Sequence, residues 1–522
     1  MAQLTICGRR RRTFTIEIKA IIPYRVRYLH SATSSVTMIE TRSRPVNWFR
    51  VNAHPAYRTA LDVIMHELGA QEDRARGRGS ASDDFENAVS ALVLDLFAAQ
   101  VSDPKMTIGI SKANSTYVDR SIYRPGFVTW SIFKDAFNGL LQAGYMAVIT
   151  RGSHGSTPGG GRVTRVAGTV KLAHSLAPMS DIITAATVFN GDEMQTIVLR
   201  DKDKRPVEYR DNGTIRAMRA RLQKINTVFQ QHWFDLRITD TKFNELNRRM
   251  GNKAADSASW RVDPVYQPPA HIDLTRRSIV RIFNDKDWSK GGRFYGGWWQ
   301  SVPRRYRPYI TIDDKQTVEL DYSHLHPAMI YAKEGLALDH DAYDIGLPSV
   351  PRKIVKQTFN AMLNASERLN PIDGFDSENF NISWEQLQHQ IVARHEPIRK
   401  YFKSKYGLRL QKEDSDLAEE IMHQFSLRGY PCLPVHDSFI IHYNLEDELQ
   451  SIMQETFHKR YGMEIAIKAK KNDYDDPSTR FLDMSEPLVD ITGLYRDYYE
   501  RLTAFQENSK WVLNIGRPPG CA

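Results

Sequence analysis

Two aspartates stand where short apolar strands end. The stretch TVELDYSHLHPAMIYA, Thr317 to Ala332, alternates Val318 and Leu320 with polar residues, as a strand does. Asp321 closes that strand, and Pro327 then opens a helix. The stretch CLPVHDSFIIHYN, Cys432 to Asn444, reads as two strands, Leu433–Val435 and Phe439–Tyr443, joined at His436-Asp437-Ser438. A carboxylate on the crest of an apolar hairpin is costly unless it is paired or binds a cation. The bland alternative is a turn residue, although Asn-Gly or Asp-Gly is the commoner choice. Two strand-end carboxylates can converge on a shared pair of divalent metals, as phosphoryl transfer needs. One metal activates the attacking oxygen and the other stabilises the leaving pyrophosphate. Mg²⁺ suits such a site, because it takes a few carboxylates and completes its shell with substrate phosphates.

Between the two aspartates lies VPRKIVKQTFNAMLNAS. Pro351 is a good first helical residue, and Arg352, Lys356, Asn360 and Asn364 follow at i+4 spacing as one polar stripe. Val355, Phe359 and Met362 form the face to be buried. Solvated helix faces usually mix in Glu and Asp, and this stripe has neither. A line of Arg, Lys, Asn and Asn suits a triphosphate at one end and a sugar or base at the other. Upstream, SKGGRFYGGWWQ, Ser289 to Gln300, combines glycines that let backbone approach phosphates with Arg293, Tyr295, Trp298 and Trp299, which can stack on or pair with nucleic acid. The competing reading is an aromatic turn buried against the core. RRYR, Arg304 to Arg307, adds a basic strip suited to a template backbone, with Arg304 and Arg305 leading it.

These residues carry a resemblance. Asp-Tyr-Ser at 321–323, the Arg352/Lys356 pair and His436-Asp437-Ser438 occur in the order of motifs A, B and C of family A DNA polymerases, and of the related single-subunit, phage-type RNA polymerases. The context of the third motif also fits: an acidic helix at Leu445–Tyr461, the strand MEIAIKAK at Met463–Lys470, and LQKEDSDLAEEIMHQF before it. The similarity covers Ser278 to Lys471. It implies an α/β (α+β) right-hand fold with palm, fingers and thumb. Asp321 and Asp437 would hold two Mg²⁺ ions, with Mn²⁺ as a substitute. Arg352 and Lys356 would bind the incoming triphosphate, with Asn360, Asn364 and His326 beside it. His436 would orient the local backbone or the primer end, and Ser438 stands in place of a third carboxylate. The departures concern the sugar. His326 occupies the position of the DNA enzymes' Glu, and Asn360 and Asn364-Ala365 replace an aromatic residue and a Tyr-Gly pair. The 289–300 stretch is similar to the RNA enzymes' DxxGR element at Gly292, Arg293 and Tyr295, but has Ser289 where the Asp would be. The resemblance therefore leaves dNTP against NTP open.

The elements around the motifs set the organisation. The chain has 522 residues, a net charge of +9 and a pI of about 9.2, which favours a polyanionic partner. Three cysteines, Cys7, Cys432 and Cys521, lack metal spacing and suit a reducing compartment. No apolar run is long enough to span a bilayer, and no signal peptide is convincing. Residues 1–52 read as a disordered basic arm and residues 53–200 as a winged-helix-like domain. In the latter, Ile132 to Leu141 form a helix that stops at Gly144. Strands at Tyr145–Thr150 and Arg162–Val170 follow, joined by a tip carrying Arg151, His154, Arg162 and Arg165. Residues 201–277 read as a linker and thumb-like helical region, with Ile215, Met218, Leu222, Ile225 and Phe229 as a buried helix face. Residues 278–471 hold palm and fingers, and 472–522 a C-terminal helix near Tyr495–Gln506 and a tail. The expected function is template-directed nucleotidyl transfer by a DNA polymerase without proofreading. It would act as a monomer on a DNA primer–template with nucleoside triphosphates, in a bacterial, phage or plasmid cytoplasm. A single-subunit RNA polymerase or primase is the first alternative. A non-catalytic DNA-binding replication protein with a degenerate palm is the second.

Overall fold

The computed structural model describes residues 42–70, 79–102, 105–118, 120–153, 163–177, 188–189, 194–256, 272–470, 498 and 500–508. The fold is mixed α/β and forms two units, each with its own main apolar core.

The first unit begins with β1 (Arg42–Pro45) and β2 (Arg50–Val51), then α1 (Pro55–Ala70), α2 (Gly79–Ser102), β3 (Met106–Ile110), α3 (Ser115–Val118) and α4 (Trp130–Gln142). Next come β4 (Met146–Thr150), β5 (Thr164–Gly168), α5 (Val170–Leu176) and β6 (Val188–Phe189). The sheet order is β1-β3-β5-β4, and β4 pairs antiparallel with β5. α4 forms where Phe133, Ala136, Phe137 and Leu140 fall on one face and are buried. Thr129 caps it by accepting from the Ile132 amide, and Gly144, at φ +77°, turns the chain into the sheet. Residues 42–52, expected within the disordered arm, instead supply β1 and β2. Phe49 and Arg50 are buried there, so packing outweighs the local basic composition. Arg151 is exposed and Arg165 half-buried, while His154 and Arg162 lie outside the described residues, as do residues 1–41 of the arm.

The second unit starts earlier than its motifs. β7 (Ile197–Leu199) pairs in parallel with β9 (Val280–Asn284), which pairs with β10 (Asp287–Tyr295). Residues 197–199, assigned from sequence to the first domain, therefore belong here. α6 (Gly213–Gln231) is capped by Asn212 and buries the expected Ile215, Met218, Leu222, Ile225 and Phe229. β8 (Phe234–Leu236) and α7 (Asp240–Asp256) follow. β11 (Ile310–Ile312), β12 (Lys315–Tyr322), β13 (Leu433–Val435), β14 (Ser438–His442) and β15 (Ile467–Lys470) complete a sheet of order β13-β14-β12-β11-β8, with β15 also paired to β12. Around it stand α8 (Leu325–Lys333), α9 (Arg352–Asn364), α10 (Ser377–Phe380), α11 (Trp384–Arg394), α12 (Gly407–Leu427) and α13 (Glu446–Tyr461).

Trp298 and Trp299 are core residues, not nucleic-acid platforms: both are 0% exposed. The Trp299 ring meets Phe229 and Phe234 edge to face at 5.5 Å, and its indole N–H donates to the Pro434 carbonyl at 3.1 Å. The buried alternative is correct for these two, because a large apolar ring gains most by leaving water. Residues 500–508 are helical, and Arg501 pairs with buried Asp235 on β8 at 2.8 Å. Tyr495 and the rest of the tail lie outside the described residues.

The units meet through a buried ion cluster. Arg50 pairs with Asp95 of α2 at 2.8 Å and with Asp273, ahead of β9, at 2.7 Å. Arg44 also reaches Asp95, at 2.8 Å.

Candidate active site

β12 and β14 run antiparallel, and their register sets Asp321 opposite Ser438. Asp437 is the neighbouring residue, so the two aspartates meet at one end of the ladder. Val435 pairs with Ser438, which leaves a two-residue loop of His436 and Asp437. His436 takes φ +59° to close it, a conformation that usually falls to glycine. A histidine in that conformation is strained, and such residues concentrate at functional sites. Its side chain is exposed on the crest, while Asp437 is half-buried. The hairpin is anchored from below, where Trp299 and Gln300 both donate to the Pro434 carbonyl.

The Asp321 carboxyl is held above its ordinary value by burial, and next by the Asp437 charge. The two carboxylates thus repel across a partly dry site. Lys470 of β15 answers part of that charge, its Nζ lying 3.0 Å from Asp321 and 2.7 Å from Glu319. Glu319, two residues before Asp321, shares its strand face. Burial would raise Glu319, but Arg307 and Lys470 hold it below its usual range. Arg307 grips it with two bonds of 2.8 and 2.9 Å, and the Ser438 hydroxyl donates to it at 2.7 Å. The Lys470 ammonium, 3.0 Å from Asp321, neutralises charge where a cation would otherwise sit, and among the described residues no group of three or more His, Cys, Asp or Glu is gathered to hold a metal ion.

α9 presents Arg352, Lys356 and Asn364 as exposed side chains and Asn360 as half-buried, over the buried Val355, Phe359 and Met362. Arg352 pairs with Asp341 at 2.7 Å and lies 5.0 Å from the Tyr343 ring centre, and Lys356 lies 5.6 Å from the same ring. Burial raises the Tyr343 hydroxyl and the Asp437 charge adds to it, so Tyr343 links the start of α9 to the hairpin crest. His324 joins the cluster from the β12 side, at φ +57°, with Nε2 accepting from Arg352 at 3.3 Å. Asn364 sits three turns on, bonded to the Asn360 carbonyl at 2.8 Å and pressed against Gly407 of α12, where a Cβ would strike it.

His326 and Arg293 converge on Asp414 of α12. His326 Nε2 lies 2.8 Å from Asp414 Oδ2, and Arg293 Nε lies 3.1 Å from the same oxygen. Burial would lower the Arg293 guanidinium, but Asp414 first and the Asp437 charge after it hold it above its ordinary value. Tyr295 is half-buried next to it. Arg304 and Arg305 are exposed on a 3-10 turn before β11.

Sequence reasoning missed Glu319, Lys470, Tyr343, Asp341 and Asp414, and it read Arg307 within a template-backbone strip, whereas Arg307 is committed to Glu319. Only Glu319 left a signal, its i−2 relation to Asp321; the others arrive through register and packing.

No family model matches the sequence, and no curated protein matches it. Among solved structures, one similarity is to the POL domain of Pol1 from M. smegmatis in complex with DNA primer-template and dNTP. Its TM-score is 0.28 and its sequence identity 14%, and it covers 48% of this chain and 68% of that chain. The likeness is remote. Among the described residues no helix is long and apolar enough to cross a membrane.

Proposed function

We propose that this chain is a template-directed nucleotidyltransferase, a DNA polymerase in which the β12–β14 sheet is the palm and α9 belongs to the fingers. The observation that carries the reading is the register of Asp321 opposite Ser438, which brings two mutually repelling carboxylates to one ladder end. Asp321 and Asp437 would hold Mg²⁺ or Mn²⁺, and such ions would acidify the 3′-hydroxyl of the extended strand and screen the leaving pyrophosphate. Arg352 and Lys356 receive the triphosphate and neutralise it. On this reading His436 and Arg293, near Asp437, would contact the primer end or template. Arg304 and Arg305, on the 3-10 turn before β11, would follow a template backbone. Within the first unit, the α2–β5 stretch has the order helix, strand, two helices and two strands, which fits a winged helix that would grip duplex DNA.

A single-subunit RNA polymerase or primase is the second reading. It is favoured by one observation: the position given to Glu in the resembled DNA enzymes holds His326, paired with Asp414 at 2.8 Å, so that carboxylate barrier to a sugar hydroxyl is absent.

Primed and unprimed templates supplied separately with dNTPs and NTPs, with products resolved by size, test both readings. Primer extension with dNTPs is expected. Asp321→Ala and Asp437→Ala are each expected to lower incorporation at least about tenfold while leaving duplex binding nearly unchanged, since a metal ligand acts in the transition state. Either variant keeping wild-type incorporation sinks the assignment.

A further inference from the structure

α12 carries charge on two faces. On one, Asp414 reaches His326 and Arg293. On the other, Arg409, Lys412, Glu413 and Asp416 fall together at i, i+3, i+4 and i+7. Against this second face lies a cavity of about 940 Å³, walled also by Trp288 of β10, Lys333 of α8, Tyr406 ahead of α12, and Arg460 and Tyr461 at the end of α13. Its size is that of a small-ligand site.

The charges of the wall do not balance. Lys333, Arg409, Lys412 and Arg460 stand against Glu413 and Asp416. Both carboxylates are already taken. Glu413 accepts from Lys333 at 2.9 Å and from the Tyr461 hydroxyl at 2.8 Å. Asp416 accepts from Lys412 at 2.7 Å and from Arg460 at 2.9 Å. It also takes Arg281, a guanidinium 1% exposed, at 2.6 Å. Arg409 is exposed, and among the described residues it forms no ion pair. The excess is positive and partly dry, and an anion in the cavity would relieve it. A phosphate monoester brings about two negative charges at pH 7.

The rest of the wall is aromatic. Trp288, Tyr406 and Tyr461 are each half-buried, and all three line the cavity. Phe283 and Tyr209 hold Trp288 edge to face, each at 5.0 Å, and Tyr401 holds Tyr406 at 4.8 Å. Rings fixed in this way offer a stacking surface with little side-chain freedom left to lose. An acidic peptide would satisfy the cations and leave the rings unused, and bare phosphate would leave most of the volume unfilled.

We propose that this cavity is a second nucleotide site, which takes a 5′-mononucleotide with its phosphate on Arg409, Lys412 and Arg460 and its base among the three rings. The site is separate from the aspartate pair and from α9, and it does not depend on the nucleotidyl-transfer reading. Its floor is the helix that holds Asp414, so an occupied cavity and the His326–Arg293 pair bear on one element from opposite faces.

The test is equilibrium dialysis of the full-length protein without divalent metal, with every protein carrying Lys356→Ala so that α9 adds nothing. dAMP, deoxyadenosine, inorganic phosphate and a primer–template duplex are titrated in turn. dAMP is expected to bind at least about tenfold more tightly than deoxyadenosine or phosphate. Arg409→Ala is expected to weaken dAMP by about tenfold or more, and Arg409→Lys to recover part of the loss. Tyr406→Leu is expected to weaken dAMP and leave phosphate unchanged. Arg409 is exposed, so its variants keep the fold, and thermal melting checks this. No binding of dAMP to the Lys356→Ala parent at about 1 mM overturns the proposal. So does an Arg409→Ala affinity for dAMP within about twofold of that parent, or phosphate binding as tightly as dAMP. Loss confined to the duplex overturns it in favour of a groove for a strand. No probe reports incorporation, so an inactive wild-type protein would count against the proposed function alone.

Discussion

The Ser438 hydroxyl donates to the Glu319 carboxylate at 2.7 Å, across the β12–β14 ladder. Glu319 is 8% exposed and already carries Arg307 and Lys470. Position 438 carries a hydroxyl, and the neighbouring strand supplies the carboxylate beside it. Ser438→Ala should cost about 1 kcal/mol, one net hydrogen bond. Ser438→Glu should cost more, about 3–5 kcal/mol, because it sets an unpaired charge against a buried like charge. Denaturant titration measures both. A Ser438→Glu protein as stable as wild type would show that Glu319 does not fill the slot.

Asp321 titrates above its ordinary value of 3.8 because of burial and Asp437. Only the ionised form holds a cation, so activity should be lost on acidification at a higher pH than an exposed Asp would dictate. Lys470 opposes the shift. Lys470→Met should therefore move the acid limb of the kcat/KM profile further up, at subsaturating metal. A limb that stays in place or moves down would contradict this linkage.

Asp414 positions both His326 and Arg293. A hydroxyl facing His and Asn is not rejected by apolar bulk, so dNTP should be preferred over NTP by less than about a thousandfold, roughly 4 kcal/mol. His326→Ala should reduce the preference further, and Asp414→Asn should shift it in the same direction by freeing the ring. Single insertion of dATP and ATP opposite a template thymine gives the ratio. A ratio far above that ceiling, or one indifferent to both variants, rules out His326 as the group that senses the sugar.

Asp95 is 0% exposed and pairs with Arg44 and Arg50. Asp95→Ala leaves buried guanidinium charge uncompensated and should destabilise the protein by about 3–5 kcal/mol. Calorimetric unfolding of the intact chain would reveal the loss. A change under about 1 kcal/mol would mean that Asp273 alone suffices for Arg50.

Periodicity made the long amphipathic elements legible. The face of α6, the buried side of α9 and the hairpin around Asp437 all lie where apolar spacing puts them. Asp321 and Asp437 were visible because a carboxylate at the end of an apolar strand breaks the local pattern. Asp414 was not, since one acidic residue among several on α12 looks like a solvated face until packing turns it inward. Trp298 and Trp299 misled because glycine, arginine and tryptophan together suit both a stacking platform and a buried turn. Only the contact with Pro434 and the rings of α6 and β8 separates the two. Residues 42–52 misled because local charge says nothing of a partner as distant in sequence as Asp273.

Arg50 clamps Asp95 and Asp273 in the same buried cluster, so the first unit is fastened to the second and does not trail from it as a tethered arm. The two work as jig and tool. Were the first unit to hold a duplex as proposed, that duplex would meet the aspartate pair at an offset set by the clamp. Lengthening the chain between α5 and β7 would leave that offset unchanged, whereas loosening the clamp would blur it.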